Sequence, residues 1–333
     1  MKKCIICGHA TPTIVRADYP GYVEGINFDI ISCGQCNTHF ISPIEVDPQI
    51  YELVYSDTSI AGYDRYFAYA NSVKSKSDPL DFLAQSECTY YAVASFLKGK
   101  TGKKILEVGC GYGYLTYSMN QNGHQTTGID SSAKAISFAR QNLGDCFHNE
   151  TLESFSKRQS EKFDVIVSTE VIEHLSDPFA FISTCSKLLN PGGAIVLTTP
   201  SKNFFEKGSV WISEPPPVHT VWLSQESFKS MASQLKLDLE FVDYRRWSSG
   251  KENQLLHYLL TRKEPAPVPV LTRDGKPNSE NWRVKNPKSR VRQIFKAILV
   301  NCPPVVKLSN AIYYLLGLNG REFPQIGVVL KKK

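Results

Sequence analysis

The stretch ILEVGCGYGYL, from Ile105 to Leu115, decides the fold class. An apolar run followed by Gly109, Gly111 and Gly113 is typical of a buried strand that ends in a tight turn and opens a helix. Glycine lets the backbone turn sharply and come close to a bound ligand. In an open α/β sheet, such a turn at the carboxyl end of a strand is where nucleotides bind. The stretch therefore predicts an α/β fold with a ligand-binding turn.

Short apolar segments and amphipathic segments alternate from Gly102 onward. The apolar segments predict strands at KKILEVG, HQTTGID, DCFHNE, FDVIVST, GAIVLTT and LDLEFVDY. Amphipathic spacing predicts helices near 114–121, 132–143, 178–189 and 224–236, and we expect Asn190-Pro191-Gly192-Gly193 to end the third of them. Strict alternation of strand and helix predicts a doubly wound, mostly parallel sheet with right-handed crossovers.

The chain divides into regions of different composition. Residues 1–42 hold two Cys-x-x-Cys pairs, and residues 43–100 are rich in Tyr, Phe and Ala. The alternating pattern fills residues 101–245, a Pro-rich polar stretch and two short amphipathic helices fill residues 246–323, and residues 324–333 hold a strand-like segment with a basic tail. We expect five corresponding units. The aromatic residues of the second region, which either pack in a helix or close over the ligand, are Tyr51, Tyr55, Tyr63, Tyr66, Phe67 and Tyr69.

Two carboxylates flank the predicted ligand turn. Glu107 lies just before the first glycine, where it would repel a pyrophosphate and suit a cationic or hydrogen-donating ligand. Asp130 ends the next predicted strand, and a carboxylate there can accept both hydroxyls of a ribose. The alternative interpretation is that the glycines form a plain tight turn and that Asp130 merely begins a helix.

Taken together, these motifs resemble those of the class I S-adenosylmethionine (SAM) dependent methyltransferases over residues 80–262. The resemblance implies a seven-stranded sheet and a SAM site. It implies that the first motif surrounds the methionine part of SAM, that Asp130 binds the ribose, and that Thr151-Leu152 stands at the adenine, where the family often has Asp. The cofactor-binding residues expected on this basis are Glu107, Gly109, Gly111, Gly113, Asp130, Thr151, Leu152 and Thr169.

The same resemblance implies a final antiparallel hairpin. Its strands match Leu237–Tyr244 and Ile326–Leu330, so residues 246–323 would be an insertion within the hairpin, on the side that usually receives substrate.

Glu170-Val171-Ile172-Glu173-His174 begins at the carboxyl end of the fourth predicted strand. The spacing predicts that Glu170, Glu173 and His174 share one face of a first helical turn. Such groups can ligate a divalent metal or supply a general base. The motif resembles the metal site of some ubiquinone-pathway and small-RNA 2′-O-methyltransferases, in which a later His completes the set; His219 is the candidate here. The resemblance implies a Mg²⁺ site at these four residues. The alternative is that Glu173, His174 and His219 act in catalysis without a metal.

Cys4-x2-Cys7 and Cys33-x2-Cys36 have the spacing of a zinc ribbon, because two such pairs can place four thiolates tetrahedrally about Zn²⁺. Redox pairs are the alternative. The other five cysteines stand alone within predicted elements and are expected to be reduced core residues. A ribbon before a class I methyltransferase resembles enzymes that methylate sugar nucleotides, and also one group of rRNA base methyltransferases.

Basic residues are concentrated at the end of the chain. Residues 283–333 hold 11 Lys/Arg and one acid, leaving −4 for the rest of a chain whose net charge is +6. A cationic amphipathic helix is predicted at 290–300, from Arg290, Arg292 and Lys296, and it fits anionic lipid, nucleic acid, a phosphorylated substrate or a plain solvated face. No apolar run is long enough to span a bilayer, and reduced cysteines predict a cytoplasmic protein.

The sequence thus predicts a SAM-dependent methyltransferase with a zinc ribbon, acting on a small, sugar-containing or phosphorylated metabolite. One alternative is an RNA methyltransferase that holds RNA with its ribbon and basic end. A second alternative is a catalytically silent, SAM-binding partner subunit.

Overall fold

The computed structural model describes residues 3–10, 12–44, 64–204, 214–248, 267–280, 303–315 and 323–333. The helix predicted at 290–300 lies outside these ranges. So do three of the aromatic residues singled out above, Tyr51, Tyr55 and Tyr63.

The described strands form two sheets, one of four strands and one of seven. In chain order they are β1 Thr13–Pro20, β2 Asn27–Ser32, β3 His39–Ser42, β4 Lys104–Val108, β5 Gln125–Asp130, β6 Phe147–Asn149, β7 Phe163–Thr169, β8 Leu189–Pro200, β9 Val221–Trp222, β10 Leu237–Phe241 and β11 Gln325–Lys332.

The larger sheet has the order β10-β11-β8-β7-β4-β5-β6. Strands β6, β5, β4, β7 and β8 are parallel neighbours, and β11 is antiparallel to both β8 and β10. The predicted final hairpin is confirmed, since Leu237 pairs with Lys332 and Phe241 pairs with Val328. The central strands β4, β7 and β8 are largely buried and rich in Ile, Leu and Val, as expected of a parallel sheet with helices on both faces.

Helices follow the strands as the alternating pattern predicts. The α-helices are α1 Asp64–Ser72, α2 Pro79–Ser86, α3 Cys88–Leu97, α4 Tyr114–Gln121, α5 Ala133–Leu143, α6 Leu152–Arg158, α7 Pro178–Leu188, α8 Gln225–Leu235, α9 Arg245–Ser248 and α10 Pro303–Leu315. Side-chain oxygens of Ser132, Thr151, Asp177 and Ser224 accept backbone N–H bonds at the starts of α5, α6, α7 and α8, which satisfies amides that have no partner within the helix. None of the helices in the described ranges is long and apolar enough to cross a membrane.

The helix near 178–189 ends as predicted, but the strand after it begins earlier than the predicted GAIVLTT. Helix α7 ends at Leu188, and β8 begins at Leu189, so Asn190-Pro191-Gly192-Gly193 lies within the bounds of the strand. The pairing of β8 with β7 shifts register between Phe163 and Val165, which accommodates the extra residues as an irregularity in the ladder.

The cysteine-rich unit, residues 1–42 of the sequence, is not isolated from the larger sheet. Its sheet has the order β1-β2-β3-β9, and β9 comes from the segment that follows β8. Ile31 and Phe40 of this unit belong to the same buried cluster as Leu223 and Phe228 and as β7 and β8 of the larger sheet. This part of the unit therefore shares a core with the larger sheet, whereas a second buried cluster belongs to the four-stranded sheet itself: Tyr19, Phe28, Ile30, Ile41 and Trp222.

Part of the stretch between β10 and β11 packs on the cysteine-rich unit. Val270 and Leu271 are buried with Tyr22 and Val218, and both of their amides donate to the Tyr22 carbonyl at 2.9 Å.

Candidate active site

The glycine-rich turn links β4 to α4 and is tied to the neighbouring strand. The amides of Gly109 and Cys110 both donate to the Ile129 carbonyl, at 2.9 and 3.1 Å. Gly109, Gly111 and Gly113 have φ angles of 78°, 50° and 79°, a region that favours glycine. The sequence therefore folds here into the predicted turn at the carboxyl edge of the sheet.

The three glycines face different surroundings. A Cβ on Gly109 would meet the Val171 side chain, and one on Gly113 would lie 2.5 Å from the Phe147 ring. A Cβ on Gly111 would meet no described atom within 4 Å. The first and last glycines thus permit tight packing, whereas Gly111 presents the open face on which a ligand can approach the backbone.

Asp130, the predicted ribose ligand, ends β5 beside this turn. Its Oδ2 accepts the Gly111 amide and its Oδ1 accepts the Ser132 amide, both at 2.8 Å. Each carboxylate oxygen has two lone-pair directions, so both can accept one further hydrogen bond. The carboxylate is therefore held in a fixed orientation with acceptor capacity left for a diol.

Glu107 is only 2% exposed and lies beneath the turn. The Thr116 hydroxyl donates to it. Burial raises the pKa of Glu107 to about 8, and the nearby Asp130 adds to the rise. Its carboxyl group is thus part of the interior that supports the turn.

This burial predicts a pH effect on stability. Between the ordinary pKa of 4.5 and the raised value of about 8, the folded chain keeps a proton that the unfolded chain has released. The free energy of unfolding should therefore fall as pH rises through this window, by up to about 1.4 kcal/mol per pH unit. Glu107→Gln should remove this contribution. Measured by urea unfolding, the free energy of unfolding of the variant should therefore increase relative to that of the wild type between about pH 5 and about pH 8. The exposed Glu153→Gln serves as control, and an unchanged difference between wild type and Glu107→Gln would contradict the assignment.

The residues expected at the adenine lie at the start of α6, a helix that was not predicted from the sequence. Thr151 is exposed, and its hydroxyl accepts the Ser154 amide at 3.2 Å. The Leu152 side chain is buried in the core, so only its backbone amide can serve a ligand. Thr169, the last residue of β7, pairs with Thr198 of β8 and is half-buried.

Helix α1 lies against the glycine-rich turn. Phe67 contacts the Tyr112 ring edge-on with centroids 5.9 Å apart, and Tyr69 packs on Tyr114 at 5.7 Å. The Tyr90 and Tyr114 hydroxyls are hydrogen-bonded at 2.5 Å. Phe67 and Tyr69, which belong to the aromatic stretch noted in the sequence, therefore join α1 to the carboxyl end of the turn.

An ion pair at the start of α1 was not predicted. Arg65 Nε lies 2.9 Å from Glu87 Oε1, and an Arg65 nitrogen donates to the Tyr66 hydroxyl at 2.8 Å. Burial raises the pKa of Tyr66, and the charges of Glu87 and Glu170 raise it further. No local sequence pattern predicts this ion pair, because its two residues lie 22 positions apart and meet only in the folded chain.

Glu170 does not join Glu173 and His174 on one helical face, so this part of the sequence interpretation is wrong. Glu170 has a left-handed φ of 55°, and the short 3-10 helix begins only at Ile172. Its carboxylate accepts the Thr198 hydroxyl at 3.0 Å and the Gln325 amide. Burial raises the pKa of Glu170 to about 7. The residue connects β7, β8 and β11 and lies outside the group formed by the other three predicted ligands.

Glu173, His174 and His219 come together as predicted. One ligand atom from each lies within 4.8 Å of the others. The His174 and His219 rings meet edge-on with centroids 4.9 Å apart, and His174 Nε2 lies 4.0 Å from Glu173 Oε1. Glu173 and His219 are buried, at 2% and 3% exposure. The Thr199 hydroxyl donates to Glu173 at 2.9 Å.

The hydrogen bond of His174 defines its tautomer. Nδ1 lies 2.7 Å from the Val218 carbonyl oxygen, and because a carbonyl only accepts, Nδ1 carries the proton and Nε2 carries the lone pair. Burial lowers the pKa of His174, which favours the neutral ring. Nε2 lies on the side of Glu173, and a neutral imidazole nitrogen of this kind can accept a proton or ligate a metal. Val218 was missed because backbone acceptors leave no trace in a sequence.

Four cysteines meet at the start of the chain. Cys4 Sγ lies 3.6 Å from Cys36 Sγ, and Cys7 Sγ lies 3.5 Å from Cys33 Sγ. All four sulfurs lie within 4.8 Å of one another. Tetrahedral zinc with Zn–S bonds of about 2.3 Å needs S–S separations of about 3.8 Å, so this arrangement fits the ion. Outside this cluster, the described cysteines Cys88, Cys110, Cys146 and Cys185 are reduced thiols.

A seven-stranded sheet with one antiparallel strand near its edge and a glycine-rich turn after the first parallel strand is the class I methyltransferase architecture. Residues 82–262, more than half of the chain, match the family described as a methyltransferase domain. The chain belongs to this family of SAM-dependent methyltransferases.

Curated relatives match about a third of the chain. The ubiquinone biosynthesis O-methyltransferase of Aromatoleum aromaticum is 36% identical over 111 residues, which cover 32% of this chain and 47% of that protein. The enzyme of the same name from Glaesserella parasuis is 40% identical over 110 residues, covering 30% and 47%. The chain thus spans about half the length of the curated relatives it matches.

Solved structures are more distant. A SAM-dependent methyltransferase from Archaeoglobus fulgidus has a TM-score of 0.43 at 15% identity, covering 74% of this chain and 94% of that one. Magnesium protoporphyrin IX methyltransferase from Synechocystis PCC 6803, with bound SAM, has a TM-score of 0.39 at 17% identity, covering 60% and 90%.

Proposed function

We propose that the chain binds SAM and transfers its methyl group to a hydroxyl of a small molecule. The observation that carries this proposal is a shared location. The glycine-rich turn, Asp130 and the group of Glu173, His174 and His219 follow β4, β5, β7 and β8, which end at one edge of the sheet. Ligands of open α/β sheets bind at this edge.

SAM supplies a methyl group that is already electrophilic, so the protein has to position, align and exclude water. Asp130 would accept the two ribose hydroxyls with its remaining lone pairs, and Gly111 would let the ligand lie against the backbone. We infer that α1 covers this site, because it packs against Tyr112 and Tyr114 of the turn.

The acceptor would lie on the side of His174. As the new O–CH3 bond forms and the S–CH3 bond breaks, the hydroxyl proton would pass to His174 Nε2 and later to water. The fixed Nδ1–H bond to Val218 keeps Nε2 ready for this role, and Glu173 and His219 would orient the acceptor. The same three groups would hold a divalent cation such as Mg²⁺ if the enzyme uses one; Glu170 would not take part.

An oxygen acceptor is supported by this base and by the names of the curated relatives, which are O-methyltransferases. A sugar-containing or phosphorylated acceptor remains the prediction made from the cysteine-rich unit and the basic end of the chain. We also propose that Cys4, Cys7, Cys33 and Cys36 hold Zn²⁺ as a structural ion, and that the stretch between β10 and β11 borders the acceptor.

Release of S-adenosylhomocysteine tests the proposal. Purified protein with SAM should release it when given a hydroxylated acceptor from one of three pools: nucleotide sugars, polyhydroxylated phenols or phosphorylated metabolites. Transfer to RNA alone, weakened by salt as phosphate contacts require, would replace the small-molecule assignment. SAM binding without turnover on any pool would favour the silent partner subunit.

A further inference from the structure

The segment of residues 215–224, here called the acceptor segment, carries half of the proposed acceptor site. It contains His219, and it contains Val218, whose carbonyl fixes the His174 tautomer. It also contains Thr220, which is fully buried. The Thr220 amide donates to the Glu173 carbonyl at 2.9 Å, and its hydroxyl donates to the Leu175 carbonyl at 2.7 Å.

These bonds join the acceptor segment to the turn that bears Glu173 and His174. The Thr220 hydroxyl also lies 3.2 Å from the Glu173 carbonyl, but its single proton favours the shorter bond to Leu175. Two backbone carbonyls that flank His174 are thereby held by one residue.

The cysteine-rich unit holds the acceptor segment at its start and in its middle. The Tyr22 amide donates to the Pro216 carbonyl at 2.6 Å. The Ile41 amide donates to the Thr220 carbonyl at 3.0 Å. Strand β9 then continues the pairing, with Phe40 opposite Val221.

The end of the acceptor segment is anchored beside the cysteines. The Ser224 hydroxyl donates to the Cys36 carbonyl at 2.7 Å. The Thr38 hydroxyl, 3.0 Å from Cys36 Sγ, lies 2.7 Å from the Ser227 hydroxyl of α8. Thr38, Ser224 and Ser227 are all fully buried, where satisfied polar contacts specify one arrangement.

We propose that the cysteine-rich unit is the frame that positions the acceptor half of the active site, and that Thr220 is the positioning residue that passes this order to Glu173 and His174. The inference rests on the proposed function for the meaning of the site, but the coupling itself is a property of the fold. In this proposal the cysteine-rich unit positions residues of the acceptor site within the protein instead of binding RNA.

Hydrogen exchange measured by mass spectrometry tests this coupling in the full-length, metal-loaded protein. Thr220→Val should raise exchange in peptides from 170–176 and 218–224 by about ten-fold or more, because the hydroxyl bond that ties the acceptor segment to the Leu175 carbonyl is lost. Peptides from 105–113, at the glycine-rich turn, should be unchanged. Thr220→Ser keeps the hydroxyl and should restore wild-type exchange.

A second variant changes a contact of the cysteine-rich unit, at the other end of the acceptor segment. Thr38→Val removes the contact with Ser227 and should raise exchange in 218–224, whereas Thr38→Ser should not. Zinc content and the SAM dissociation constant are measured on each variant. Unchanged exchange at 218–224 in both valine variants, or an equal rise throughout the chain, would overturn the inference. A wild-type protein that binds no SAM would instead refute the proposed function while leaving the exchange result readable.

Discussion

Replacing Cys33 and Cys36 together with serine should unfold the whole chain rather than the cysteine-rich unit alone. Structural zinc sites contribute about 10 kcal/mol or more to folding, which matches or exceeds the stability of a typical domain. Because Ile31 and Phe40 share a core with Phe228 and the larger sheet, the loss cannot stay local. We expect one zinc per chain in the wild type by atomic emission, and no cooperative thermal transition in the double variant.

Cys146→Ser is the matched control. Cys146 is half-buried and lies outside the cluster of four cysteines, so this variant should keep its zinc and most of its stability. A wild-type protein that contains no zinc, or one with a disulfide between Cys4 and Cys36, would contradict the assignment.

His174→Ala should lower turnover by about 100-fold while changing SAM affinity by less than about three-fold. In the proposed mechanism the imidazole takes the acceptor proton, whereas the glycine-rich turn and Asp130 hold SAM. The measurement compares steady-state turnover, on the acceptor identified by S-adenosylhomocysteine release, with SAM binding by calorimetry.

His124→Ala is the control, since His124 is buried just before β5, at the opposite edge of the sheet. A chelator then separates the two roles of His174, with zinc content followed in parallel. Activity that is lost on adding chelator and restored by Mg²⁺, with zinc retained, would assign Glu173, His174 and His219 as metal ligands. Activity that does not change with chelator would support His174 as a general base. Full activity in both His174→Ala and His219→Ala would refute the acceptor site.

The strands of the seven-stranded sheet could be predicted because most of them are short apolar segments that can be recognised in the sequence. The apolar run before Gly109 was recognised from the sequence directly, whereas the pairing of Leu237–Phe241 with the final strand followed from the family resemblance. The early start of β8 at Leu189 was not foreseen, because a Pro-Gly pair after a helix looks the same whether a loop or an irregular strand follows. Helix α6 was missed because its seven residues are too short for a clear period.

The site was predicted in its residue types but not in its assembly. The spacing of Glu173 and His174 suggested a common face, and His219 was added by resemblance. The sequence could not show that Glu170 turns away, since that depends on a left-handed φ and on Thr198 and Gln325 from other strands. Nor could it show that β9 completes the sheet of the cysteine-rich unit, because two residues carry no periodic signal.

Calorimetric titration with SAM and with NAD is the sharpest test of the proposed cofactor site. The wild type should bind SAM and S-adenosylhomocysteine but not NAD. Asp130→Ala should weaken SAM binding by roughly 1–3 kcal/mol, because charge-assisted hydrogen bonds to the ribose are lost. Binding of NAD with no binding of SAM would contradict the proposed function.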